Sequence, residues 1–69
     1  MELIRMPQVI KMTGMSKSAI YAQIKEGAFP RPLKISQRHV AWDKQHVIDW
    51  IQSLPLAKGP TWVDNTTQI

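Results

Sequence analysis

Apolar positions in the first half of the chain recur in two short helical runs. Val9, Ile10 and Thr13 lie at spacings that share one helical face, and Ile20 and Ile24 repeat the i, i+4 step after a gap. The gap carries its own signals. Pro7 suits a first helical turn, because the N–H it lacks has no intrahelical partner there. Gly14 can close that helix in the left-handed conformation, and Ser16 can accept from the N–H of Ser18 or Ala19 to start the next. The second helix is expected to run to about Glu26, where Gly27 stops it. Lys17, Ser18, Tyr21, Gln23 and Lys25 then fall on its flanks or its open side.

After Phe29 the period changes. Pro30 and Pro32 forbid helix, and the residues that follow alternate apolar and polar as half-buried strands do. Leu33 and Ile35 are expected to face in and Lys34 out. Beyond a turn at Ser36, Gln37 and Arg38, Val40 and Trp42 are expected inward, with His39 and Ala41 outward. The pair reads as a small β-hairpin. Asp43 is placed to cap a third helix, whose apolar face is Val47, Ile48, Trp50, Ile51 and Leu54, and Pro55 ends it. Residues 55–69 lose all periodicity, with Trp62 and Val63 as the sizeable apolar pair, and are expected to form a flexible tail outside the core. A chain of 69 residues has room for one domain, read here as residues 1–54.

Charge sharpens this picture through its distribution. Residues 1–42 set Arg5, Lys11, Lys17, Lys25, Arg31, Lys34 and Arg38 against Glu2 and Glu26, a balance of +5. Residues 43–69 carry −1, so the whole excess of +4 belongs to the first part of the chain. An anionic partner fits a basic surface confined to one region. The absence of cysteine removes disulfides, thiolate metal sites and thiol nucleophiles together. Leu3 and Ile4 alone before Arg5 make no signal h-region, and no apolar run approaches a membrane span, so the expected setting is the cytoplasm, associated with the nucleoid.

Two short helices on a tight glycine turn, a basic hairpin and a covering helix follow one another in the order of a winged helix-turn-helix. The start of the second helix would offer unpaired N–H groups, Ser16, Lys17 and Ser18 to phosphate, with Tyr21 one turn on. Gln23 and Lys25 extend that surface along the helix, and Lys34, Gln37, Arg38 and His39 form the candidate wing contacts. An arginine at a hairpin tip can enter the electronegative minor groove. The plainer readings are a solvated face for Lys17, Ser18 and Lys25, and a packed ring for Tyr21. Trp42 and Trp50 sit at inward positions, where a core role outweighs stacking on bases. His39 and His46 with Asp43 or Asp49 show no metal-ligand spacing, and no nucleophile or acid–base pair marks an enzyme, so neither metal nor cofactor is expected.

The stretch from Leu3 to Ile51 also resembles the AlpA family of small prophage regulators. Its segments are Arg5-Met6-Pro7 through Val9, Thr13-Gly14-Met15-Ser16-Lys17-Ser18 with Ile20-Tyr21, Glu26-Gly27-Ala28-Phe29-Pro30, and Arg38 through Trp42 on to Val47 and Trp50-Ile51. The resemblance implies a mainly α fold with a small β-hairpin: a winged helix-turn-helix of the excisionase and MerR type, with three helices and a two-stranded wing. It implies a double-stranded DNA partner, and a role in transcription control of a prophage or integrated mobile element. An excisionase-type factor that bends DNA beside an integrase is the alternative, and a protein-interaction module docking through the tail is the reading from another class. The chain departs from the family pattern at Ala22, where members often carry a basic residue, and in the wing turn, which lacks the common glycine. One short helix and one wing read few base pairs, which favours a monomer in isolation that binds DNA in tandem or cooperatively.

Overall fold

The computed structural model describes residues 1–57. Helix α1 spans Met6–Thr13, α2 Lys17–Lys25 and α3 Lys44–Gln52; strands β1, β2 and β3 span Leu3–Ile4, Leu33–Lys34 and Val40–Asp43. The result is a mainly α winged-helix fold whose sheet has three strands, in the order β1-β3-β2, rather than the two of a simple wing. Strand β1 was not legible as a strand, because two residues are too short to show an alternation. It pairs antiparallel with β3, placing Leu3 opposite Asp43 and Ile4 opposite Trp42. No helix among the described residues is long and apolar enough to cross a membrane.

Each helix boundary has a local cause. Pro7 sits in the first turn of α1, and Gly14 ends it at φ 73°, its N–H donating to Ile10 O at 2.8 Å. The turn to α2 is closed by Thr13, whose hydroxyl donates to Val9 O at 2.9 Å and accepts from Met15 N–H at 3.2 Å. Ser16 then caps α2, accepting from Ala19 N–H at 3.1 Å. Asp43 does the same for α3, accepting from Gln45 N–H at 2.9 Å. That helix ends at Gln52 with Ser53 as its cap, ahead of Pro55, and leaves Leu54 about half exposed rather than on the buried face.

The core is Ile4, Val9, Ile20, Phe29, Trp42 and Val47, one or more from each of β1, β3 and the three helices, with Phe29 from the connection between α2 and β2. That connection is held by two indoles. Trp42 Nε1–H donates to Pro30 O at 3.0 Å, and Trp50 Nε1–H to Ala28 O at 2.6 Å. Between them Phe29 meets Trp50 edge to face, with ring centroids 4.7 Å apart. The prolines keep this stretch out of helix, and the tryptophans take up carbonyls that no ladder would satisfy.

The hairpin differs from expectation in which residues face the core. Its three-residue turn pairs Leu33 with Ala41 and Lys34 with Val40. Antiparallel partners share a face, so Leu33 must follow Ala41 and cannot lie beside Trp42. Leu33 and Ile35 are accordingly exposed on the outer face, while Lys34 shares the inner face with Val40. Ala41 points outward as expected but is buried, being a small residue on the central strand with the larger Leu33 paired against it. Residues 55–57 are exposed and irregular, and the remainder of the expected tail, with Trp62 and Val63, lies outside the described residues.

Two substitutions test this account. Trp42→Phe keeps most of the ring but strands the Pro30 carbonyl, and should lower the unfolding free energy by about 1–3 kcal/mol in a urea titration. An unchanged midpoint would mean the indole bond contributes nothing. Gly14→Ala meets no atom within 4 Å, so its cost is conformational alone. It should destabilise by about 1–2 kcal/mol, seen as a lowered thermal midpoint.

Candidate nucleic-acid interface

Helix α2 advances by 100° per residue, which puts Lys17, Tyr21, Lys25, Ser18 and Ala22 on one arc and Ala19, Gln23, Ile20 and Ile24 on the other. The structure follows that division. Lys17, Ser18, Tyr21, Ala22 and Lys25 are exposed, and Ile20 is fully buried. Gln23 does not join the open face. It is half-buried, and its amide donates to Met15 Sδ at 3.7 Å, bracing the turn from α1. Of the flank and the open side, Gln23 takes the flank, next to Ile20 on the wheel.

The N-terminus of α2 is free of acidic residues in its first turn. Ser16 Oγ is engaged by Ala19 N–H, so its contribution is the cap, while the N–H groups of Lys17 and Ser18 belong to the first turn and have no intrahelical acceptor. The helix dipole adds partial positive charge at the same end. Lys17 and Ser18 are both exposed beside it.

In the wing, Ile35 N–H and Ser36 N–H both donate to His39 O, at 3.0 and 3.2 Å. Ser36 Oγ lies 2.8 Å from His39 Nδ1, closing the turn a second time through side chains. No residue of this turn has positive φ; among the described residues only Gly14 and Gly27 do. The missing wing glycine is therefore no defect, since the turn asks for no left-handed backbone. His39 is part of the turn's own bonding, and Gln37 and Arg38 project from it exposed.

Helix and wing are joined by an open cleft of about 350 Å³ lined by Arg5, Met6, Pro7, Tyr21, Arg38, Val40 and Trp42. It brings together Tyr21 and Arg38, candidates 17 positions apart in sequence, and adds Arg5, which the sequence marks as part of the basic excess and of the family-like segment but not as a contact residue. The sequence signal is weak: an arginine precedes the Pro7 helix start, where a Ser, Thr, Asp or Asn cap is usual, and in the structure it makes no capping bond. Among the described residues no carboxylate lines the cleft. Lys34 leaves the sheet on the same face as Val40, its pairing partner. Lys25 lies two turns along α2 from Lys17, at the far end of the exposed arc.

Of the acidic groups among the described residues, Glu26 caps the end of α2 and the other three lie around α3. Glu2 lies 3.6 Å from Lys44, Asp43 3.6 Å from His46 Nε2, and Asp49 accepts from Gln45 at 2.8 Å. Among the described residues no three potential ligands cluster to hold a metal ion.

A family described as Prophage CP4-57 regulatory protein (AlpA) matches residues 2–55. An uncharacterized protein of Enterobacteria phage P4, ORF88, is 35% identical over 48 residues, which cover 70% of this chain and 54% of that protein. The chain thus spans about half the length of that curated relative. The family match runs from before β1 to past α3 and takes in every element described above, and the protein belongs to the AlpA family of prophage regulatory proteins.

Proposed function

We propose that the protein is a duplex-DNA-binding transcription regulator of a prophage or integrated element, with residues 1–54 as the binding unit. Helix α2 enters the major groove and the Ser36–Arg38 turn lies against the adjacent minor groove. The observation that carries this reading is the cleft that Tyr21 on α2 and Arg38 on the wing line together, free of carboxylates among the described residues. A merely solvated lysine face would need no such union of two elements. A basic helix and a basic hairpin tip lining one cleft suit contact with neighbouring grooves.

The roles follow from chemistry. Lys17, Ser18 and the free N–H groups of the first turn take phosphate, which fixes the helix in register without reading sequence. Tyr21 offers a phenol O–H one turn later. The exposed Ala22 allows close approach of the helix to base edges. Arg38 presents a guanidinium to the narrow, electronegative minor groove, which favours particular sequences through their shape. A site read by so short a helix is small, and copies bound side by side along the DNA would extend it.

A fluorescence-anisotropy titration of labelled duplex over a range of salt tests the reading. Log affinity should fall linearly with log salt, by about 0.9 for each phosphate neutralised. Lys17→Ala should weaken target and random duplex alike. Arg38→Ala should cost about 1–3 kcal/mol on the target and narrow its advantage over random sequence. Binding that ignores salt, or an unaffected pair of variants, would contradict the proposal.

A further inference from the structure

We infer that the cleft between α2 and the wing seats one backbone phosphate of the bound duplex, and that Arg5 holds it together with Tyr21. The inference rests on the orientation proposed above. With α2 in the major groove and the wing in the adjacent minor groove, the strand dividing the two grooves must cross between them. What lies between them in the protein is this cleft. Its charged and hydroxyl-bearing lining is Arg5, Tyr21 and Arg38, set against apolar walls of Met6, Pro7, Val40 and Trp42.

Arg5 is built to present its side chain there. Its carbonyl accepts from Gln8 and Val9 N–H at 3.0 and 3.1 Å, which fixes the backbone, while the side chain makes no capping bond. The nearest carboxylate along the chain, that of Glu2, is 3.6 Å from Lys44 instead. Among the described residues neither Arg5 nor Arg38 has an ion-pair partner. A phosphate seated in the cleft meets in Arg5 a positive charge that no carboxylate of the described residues offsets. The planar fork of Arg5 can meet two phosphate oxygens while the Tyr21 hydroxyl donates to a third contact. Arg38 contributes its stem to the cleft wall and sends its tip on toward the minor groove.

The test is Arg5→Gln and Arg5→Lys in the same salt-dependent anisotropy titration, beside wild type and Lys17→Ala. Thermal melting verifies the fold of each. Arg5→Gln should bind target and random duplex about tenfold more weakly, the loss of one charged hydrogen-bonding contact. Its salt slope should drop by about 0.9, so that between 50 and 200 mM salt it loses about threefold less affinity than wild type. Arg5→Lys should keep the wild-type slope. Combining Arg5→Gln with Tyr21→Phe should cost less than the two separate losses multiplied, because both act on one phosphate. Wild-type affinity and slope in Arg5→Gln, with Lys17→Ala still impaired, would overturn the phosphate seat and leave the wider reading standing. A loss confined to the target sequence would also overturn it, since a phosphate contact carries no sequence. Salt-insensitive binding by the wild type would overturn both.

Discussion

The indole of Trp42 is fully buried on the central strand, and its N–H donates to the carbonyl of Pro30. Through its strand it pairs with Ile4 of β1, through the core it meets residues of all three helices, and through Pro30 it holds the connection that leaves α2. A domain of this size has few core residues to share among its elements, and no disulfide to help. One large side chain that packs in several directions, with its polar atom satisfied, reduces the number of contacts that must be right. The second indole, on Trp50, repeats the device two residues earlier at Ala28. Together they turn a proline-broken stretch into a fixed bridge between helix and sheet.

That bridge matters for the surface above it. Helix α2 is positioned by Ile20 in the core, and the wing by β3, which carries Trp42. The same Trp42 forms part of the floor of the cleft between Tyr21 and Arg38. Helix and wing therefore share one foundation, and their spacing is a property of packing rather than of loop conformation. A pre-set spacing spares the ordering cost that two independently mobile elements would incur on meeting two grooves. Arg5 and Arg38 line the cleft on this side, while at the start of α3 Asp43 caps the helix and Glu2 meets Lys44.

Much of this was legible in the chain because its causes are local. Gly14, Ser16, Asp43 and Gly27 act within one turn of their own positions, so the helix boundaries could be read directly. The exposed set Lys17, Ser18, Tyr21 and Lys25 followed from the period of α2, while the period left Gln23 between flank and open side and the fold put it on the flank. What escaped depends on pairing. Strand β1 exists only because β3 lies beside it, and the outward Leu33 follows from a register that alternation alone leaves open by one residue. Phe29, in a stretch that reads as linker, enters the core because two distant tryptophans fix its neighbours. Arg5 is the corresponding case at the site, since its partners are brought to it only by the fold.

The central claim is that helix α2 and the wing act as one surface toward duplex DNA, and amide chemical-shift mapping by NMR during titration with a short duplex tests it most directly. The account predicts that residues 16–25, the turn at 36–39 and residues 5–7 shift together along one binding curve. The acidic start of α3 and the outer sheet face at Leu3 and Leu33 should stay unmoved. Shifts confined to α3 or the outer sheet face, or helix and wing responding at different duplex concentrations, would contradict it.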